Sequence, residues 1–520
     1  MRPLLFTLLT LALPAGGQSL ILEGEVPPAG EDAFFELPFE VPEGVAELTV
    51  RHSDLSNANI LDWGLYDPAG FRGWGGGNTE PIVLSEVAAS RSYLPGPIRA
   101  GTWQVVVGRA RIVEHPARYR VEITFSDTQQ LPPSPPRRPY VPVPPLETGA
   151  RWYAGDFHVH SRESGDAHPT LDAIATFAAS RGLDFVEVSD HNTVSHVGLL
   201  PELQVRHPGL LLLPGVEFTT YGGHANGIGA HTHVDHRFTR GGGTMREVAE
   251  AFAAQGALLS INHPALDLAD MCIGCSWTWS LEGAEVAAVE LGTGAYSRGG
   301  FLFQERAIAF WDALLDEGRR VAGIGGSDDH KGGVNHDWHQ SPIGSPTTLV
   351  WAEALSHEAI LEGVRRGRTV VKLEGPDDPM IDLVAHIEGA AEPARLGDTV
   401  HGPARLSAII TGGGGHQVRW VRNGRPEAPL RIDADPFELA RTVEPPSDPA
   451  LEHRYRLEVL VDDTVRTITS HLYVASALPD PPTDDLPTGC SCNGSDGVPV
   501  FSAMAFAGLW GLARRRRRTG

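Results

Sequence analysis

Positive charge is what this chain has least of. Its 42 Lys and Arg stand against 65 Asp and Glu, for a formal net charge of −23. That balance excludes general binding to nucleic acid or to anionic membrane surfaces, both of which need a basic face. An anionic substrate would need a local positive centre, which bound metal ions supply. Cysteine is scarce too, at four in 520 residues. Cys272 and Cys275 have Cys-x-x-Cys spacing, but a structural zinc there would need two further ligands, so a short disulfide in an oxidising compartment is expected. No cysteine lies near the start of the chain, which excludes lipoprotein processing there. The first apolar stretch, 4–13, is about ten residues long and too short to span a bilayer. Arg2 precedes it and Ala15-Gly16-Gly17 follows, so residues 1–19 read as a secretion signal and the mature protein is expected outside the cytoplasm.

Hydrophobic residues make up 41% of the chain, enough for globular cores, and the length predicts three or four domains. Over 20–127 short apolar runs alternate at a period of two between Gly and Pro turns, as in 103–107 and 119–123, which predicts a β-sandwich. The loop Gly73-Trp74-Gly75-Gly76-Gly77 reads either as a plain structural loop or as a glycan-binding loop with an exposed Trp. A Pro-rich linker over 128–149 is expected to be stiff and extended. Over 150–373 strand-like runs (153–160, 185–189, 210–216, 257–261, 286–291, 321–324, 369–373) alternate with helix-like ones (171–181, 245–255, 304–317, 357–366). Such repetition predicts parallel β/α units closing as a barrel, with the active site at the carboxyl ends of the strands. Alternating runs over 376–476 predict a second β-sandwich. A tether over 477–497 carries Cys490 and Cys492, and 498–520 combines an apolar span with five arginines, Arg514 to Arg518, which would hold this end in the cytoplasm.

Chemistry-bearing residues collect at the predicted strand ends. In Asp156-Phe157-His158-Val159-His160 the period of two puts Asp156, His158 and His160 on one face. Two imidazoles and a carboxylate crowded together are costly to bury unless a cation compensates them. A lone His pair is often an ordinary surface or core feature. Here similar clusters recur downstream, and fourteen of the 22 His fall between 151 and 340, where uniform scatter would place about eight. His196, His207, His336 and His339 sit away from strand ends and read as surface residues. His231, His233 and His236 read either as an independent metal-binding run or as a substrate-facing or solvated loop.

Six ordered motifs, Asp156-Phe157-His158-Val159-His160, Ser189-Asp190-His191-Asn192, Gly215-Val216-Glu217, Gly223-His224, Asn262-His263-Pro264 and Gly326-Ser327-Asp328-Asp329-His330, together resemble the polymerase and histidinol phosphatase (PHP) domain. The flanking β-domains and the segment from Asn262 to Trp277 resemble its carbaryl-hydrolase-like (CehA/McbA) branch. The fold class implied is α/β, a distorted (β/α)7 barrel flanked by β-sandwiches, with two or three metal ions. The resemblance implies His158, His160, Glu217 and Asp328 around one ion, with Glu217 bridging to a second held by His224 and His263. A third ion would have His191, His330 and Asp166, with His168 competing for the place of Asp166. Asp156 and Asp190 are expected to serve catalysis beside Glu217 by orienting imidazoles. Lys331 reads as facing either solvent or substrate, and Trp277 and Trp279 as packing beside the Cys272–Cys275 loop. The tail resembles the sorting tail of myxobacterial surface proteins; a plain single-span anchor is the alternative.

Imidazole and carboxylate ligands without thiolates suit Zn, Mn or Fe(II). A metal-bound water ionises near neutral pH and paired ions clamp attacking and leaving oxygens, which fits hydrolysis of a phosphate mono- or diester. Carbamate or carboxylic ester hydrolysis is the alternative on the same site. A surface binding module with a non-catalytic barrel is the alternative of a different class. The partners expected are a small phosphorylated or ester substrate, a surface glycan and a sorting protease. No nucleic acid is expected, and membrane contact only through the tail.

Overall fold

Short apolar runs that alternate at a period of two bury one face each, and in the first hundred residues they do so against one another. The computed structural model describes residues 18–28, 32–237, 242–293, 301–334 and 341–476. Gln18–Glu25, Arg118–Ser126, Glu47–Ser53 and Ile82–Ser85 pair antiparallel as one sheet, and Phe34–Val41, Gly101–Arg111, Ile60–Asp67 and Gly70–Gly76 as another. Leu48, Leu65, Trp103, Val105 and Ile123 are buried in a shared core. The first strand starts at Gln18, directly after the small residues of the expected leader. Gln18 and Ser19, assigned to the leader above, pair instead with Phe125 and Thr124. The rest of the leader, the 477–497 tether with its Cys pair, the 498–520 span and Arg-rich tail, and His336 and His339 lie outside the described residues. No helix among the described residues is long and apolar enough to cross a membrane.

The Pro-rich segment is extended, yet it is not a free spacer. Several of its remaining amides are used: Ser134 N donates to Val87 O, Arg138 N to Gly198 O and Leu146 N to Leu355 O. Arg137 Nε donates to Ser195 O, and Tyr140 Oη lies 3.1 Å from His357 Nδ1. Proline removes donors but leaves carbonyls and side chains to grip the surface, so the segment straps the first sandwich to the next unit. It also ends early, because 147–149 already belong to a strand.

That unit is mixed α/β. Strands β1 (Glu147–Asp156), β2 (Phe185–Val188), β3 (Leu211–Thr220), β4 (Gly223–Ile228), β5 (Leu258–Ile261), β6 (Ala288–Gly292) and β7 (Ala322–Gly325) are neighbours in that order. All run parallel except β4, which is antiparallel to both β3 and β5. This departs from uniform β/α repetition: β4 returns from β3 as a hairpin, with no helix between. The row closes at its carboxyl ends through a bridge between Val159 and Asp329. Asp328 N donates to His158 O at 2.8 Å there, and His160 N to Asp329 O at 3.0 Å. Helices α1 (Leu171–Ser180), α2 (Leu200–Arg206), α3 (Met245–Ala253), α4 (Phe301–Asp316) and α5 (His357–Arg365) complete the unit. Thr170, Thr244 and Ser356 cap α1, α3 and α5 by accepting backbone amides.

Beyond the ring, β8 (Thr347–Leu355) pairs antiparallel with β1, and β9 (Thr369–Lys372) with β8. The expected barrel strand over 369–373 pairs with β8, lies beside β7 with Thr369 Oγ1 donating to Gly323 O at 2.7 Å, and leads on into the C-terminal region. β9 pairs with Thr464–Thr469, so the ring and one sheet of the C-terminal region share a continuous ladder. A second sheet, Met380–His386, Ala404–Thr411 and Phe437–Val443 with the short Ala394–Arg395, packs on it over Leu383, Leu406, Leu457 and Leu472.

Candidate metal centre

The strand ends place their polar side chains at the closure of the ring. His158 and His160 follow β1, Glu217 lies in β3, His224 in β4, His263 follows β5, and Asp328 and His330 follow β7. Within the β3–β4 hairpin Thr219 pairs with His224 across a tight turn. Gly223 is required there, because a Cβ would lie 2.5 Å from the Trp277 ring that covers the turn, and its φ is +153°. His263 (φ 26°) and Asp328 (φ 55°) also adopt left-handed backbone, a strain that persists only where the surroundings fix it.

Glu217 is the hub. Its Oε1 lies 3.3 Å from His158 Nε2, His224 Nδ1 and His263 Nε2, while Oε2 lies 2.6 Å from His191 Nδ1 and 3.5 Å from His160 Nε2. Asp328 Oδ1 lies 3.2 Å from His158 Nε2 and 3.0 Å from His160 Nε2. Asp166 Oδ2 lies 3.4 Å from the Nε2 atoms of both His191 and His330. Asp166 thus faces the pair, whereas His168 meets it only through its amide, which donates to His330 O. His160, His191 and His330 also converge, so His160 stands between two clusters.

These distances fit divalent cations. His158 Nε2 and His160 Nε2 are 3.0 Å apart and a single proton cannot satisfy both nitrogens together with the two carboxylates facing them. Tetrahedral ligands at 2.0–2.2 Å from an ion stand about 3.4 Å from one another, and most of the distances here are 3.0–3.5 Å. Without ions, protons would have to take the cations' place. Burial opposes charging His158, yet Glu290, Glu217 and Asp328 outweigh it and hold the imidazolium well above its usual range. Likewise Asp166 overcomes burial to push His330 up to about 9. His160, buried and flanked by His330 and His191, is pushed down to about 4. Glu217 is held well below the carboxylate range by His158, His191 and His224, against its burial.

Five of the six imidazoles have their second nitrogen held. His158 Nδ1 lies 2.7 Å from Glu290 Oε1 and His160 Nδ1 3.2 Å from Ser164 Oγ. His330 Nδ1 is 2.8 Å from Asp328 O. His224 Nε2 and His263 Nδ1 lie 3.3 Å from Ile273 O and Cys275 O, in the loop closed by the Cys272–Cys275 disulfide. Asn262 Nδ2 donates to Glu217 Oε1 at 2.9 Å. Such partners fix tautomer and ring direction.

Glu290 was missed by sequence reasoning. It sits in β6 within an apolar run and is 1% exposed; an isolated acid in such a run was the available signal. Its Oε2 also accepts from His263 N at 2.9 Å, so one carboxylate ties two ligand-bearing segments. Glu290→Gln is expected to weaken metal binding about 10–100-fold, the usual effect of losing a partner of a ligating imidazole, as read by competition with a chelator. Unchanged affinity would assign Glu290 to packing alone. Glu187, on β2, is a second buried acid; among the described residues no hydrogen bond reaches its carboxyl, and burial pushes that group well above the usual range.

Other expectations need correction. Neither Asp156 nor Asp190 orients a ligand imidazole. Asp156 accepts from three backbone amides, His158 N at 3.1 Å, Ser327 N at 3.0 Å and Gly344 N at 2.7 Å, and burial raises its carboxyl to about 6. Asp190 accepts from Ser161 N and Oγ and lies 2.9 Å from Nδ1 of His196. His196 is therefore fully buried, not a surface residue. His233 and His236 are not solvated either: His233 stacks on Phe71 at 3.6 Å, and His236 lies 4.3 Å from the Trp74 ring. Although His233, Asp235 and His236 are close enough to share an ion, Arg237 already engages Asp235 at 2.9 Å, and the two rings dock this loop on the first sandwich. Trp74 is 4% exposed, so the Gly-rich loop offers no open Trp surface to a glycan.

No protein-family model matches the chain, and no curated protein does. Among solved structures it is similar to a two-domain protein from Bacteroides vulgatus described as containing a predicted PHP-like metal-dependent phosphoesterase. That match has 19% identity and a TM-score of 0.35, covering 65% of this chain and 99% of that one. A proposed metal-dependent phosphoesterase from Bifidobacterium adolescentis matches at 16% identity and TM-score 0.26, over 36% of this chain and 91% of its own. An amidohydrolase from Chromobacterium violaceum matches at 16% and 0.24, over 34% and 87%.

Proposed function

We propose that the protein is an exported metal-dependent phosphoesterase built on a PHP-like barrel with β-sandwiches on either flank. The observation that carries this reading is the convergence of five imidazoles on the single carboxylate Glu217, with Asp328 and Asp166 completing neighbouring clusters. His158, His160, Glu217 and Asp328 would hold one ion, His224 and His263 a second beside Glu217, and His191, His330 and Asp166 a third. Ions bound there supply a Lewis acid and a nucleophilic oxygen from water at neutral pH.

The chain's own residues favour a phosphate over a neutral ester. Three ligand carboxylates leave two or three divalent ions incompletely neutralised, and that excess charge suits a phosphate dianion. Among the described residues lining the cleft above the cluster, Lys331 is the one Lys or Arg, so ions must provide most of the positive field in so acidic a chain. Export is proposed from the leader-like pattern of residues 1–19 in the sequence.

Elemental analysis of the purified protein, paired with assays on phosphate monoesters, phosphate diesters and a carbamate ester, tests the reading. Two to three ions per chain with phosphoester turnover is the expected result. Carbamate cleavage alone would move the function to the alternative ester chemistry, and a metal-free, inactive protein would leave a binding module.

A further inference from the structure

The cluster is the floor of a cleft of about 740 Å³. A phosphoryl group occupies a small part of such a space, so the rest must accommodate whatever the phosphate is attached to. The walls above the floor are mostly apolar. Ile60 comes from the first sandwich, Tyr221 from the β3–β4 turn, and Leu266, Leu268, Met271 and Ile273 from the loop after β5. Met271 is 67% exposed, a large apolar side chain left open at this rim. Ligand sites of this size and lining, with a few polar groups at one end, are the usual form of a pocket for an organic molecule.

Both walls are fixed relative to the floor. Arg91 of the first sandwich donates to Gly165 O at 2.9 Å and Ala167 O at 3.0 Å, on either side of Asp166. Ser92 Oγ donates to Glu163 O at 2.7 Å, and Gly165 packs so tightly on Gly75 O that a Cβ would lie 2.2 Å from it. Tyr221 Oη donates to Asp62 Oδ2 at 2.7 Å, joining the barrel side of the cleft to the sandwich. The opposite wall is tied by the Cys272–Cys275 disulfide and by the bonds from His224 and His263 to its carbonyls. Preformed apolar walls reward an apolar ligand without an ordering cost.

From this we infer that the substrate is a phosphate ester of a bulky apolar alcohol or phenol, with its organic group between Ile60 and the Leu266–Ile273 wall, so that the first sandwich selects the substrate. The inference rests on the phosphoesterase reading above. In the reaction, water oxygen forms the new bond to phosphorus and the P–O bond to the alcohol breaks. The electron pair stays on the alcohol oxygen, which takes up a proton from water, giving the free alcohol and inorganic phosphate from a monoester.

The test compares 2-phenylethyl phosphate with glycerol 1-phosphate on the metal-loaded full chain, since both release primary alcohols of similar basicity. The phenylethyl ester is expected to have a kcat/KM about 10–100-fold higher, the range that burial of one aromatic side chain provides. In Ile60→Ser and, separately, in Met271→Ser that ratio is expected to fall about tenfold. The second variant alters an exposed residue and guards against misfolding of the first. Equal kcat/KM values, a preference for glycerol 1-phosphate, or an unchanged ratio in both variants would overturn the inference and leave the phosphoesterase reading standing. Hydrolysis of neither ester, nor of any phosphate diester, by metal-loaded protein would remove that reading itself, and the inference with it.

Discussion

Glu217→Gln is expected to leave a folded protein that has lost at least one metal ion per chain and about a thousand-fold or more in turnover, since metal stabilisation of transition-state charge is worth several kcal/mol. The substitution keeps shape and one acceptor for Asn262, whose amide lies 2.9 Å from Oε1. What it removes is the charge that faces His158, His160, His191, His224 and His263 at 2.6–3.5 Å. Because those imidazoles belong to all the clusters, the loss should not be confined to one ion. Circular dichroism, elemental analysis and turnover on one preparation decide the matter. Full metal content with activity within tenfold of the parent would show that Glu217 is not the hub.

Asp156→Ala should act on stability instead. The carboxyl accepts three buried amides from His158, Ser327 and Gly344, which belong to three separate segments meeting at the closure of the ring. Leaving them without an acceptor costs roughly 1–3 kcal/mol each, so about 3–9 kcal/mol in total is expected, read as a large drop in the urea midpoint. Asp156→Asn keeps one acceptor oxygen for the first two amides but sets its NH2 against Gly344 N, so its midpoint should fall between those of the parent and the alanine variant. If instead the Asn variant were as stable as the parent and fully metal-loaded but inactive, Asp156 would have a direct part in the chemistry.

The contrast between these two carboxylates shows how far the sequence could be read. Strand-end positions are visible in a single chain because period-two alternation and a following polar residue are local signals; His158, Glu217, His263 and Asp328 carry them. Which atoms those neighbours bond to is not local. Asp156 looks like a companion of His158 and His160, yet its partners lie 171 and 188 residues away in sequence as well as next door. The hairpin strand Gly223–Ile228 is hard to see because two of its six residues are glycine. The burial of His196 depends on Asp190, and that of His233 and His236 on Phe71 and Trp74 of another unit, contacts that no spacing rule encodes. Glu290 is marked only by being a lone acid in an apolar run, and its bonds to His158 and His263 are not local.

The ladder from β9 into Thr464–Thr469 also bears on how such a chain can be divided. A sheet that ended at β9 would present a row of unpaired amides and carbonyls, a template for pairing with other copies. The C-terminal region supplies the missing neighbour. Whatever else it recognises, it guards an open edge, and a catalytic fragment trimmed to residue 373 would carry a surface prone to self-association.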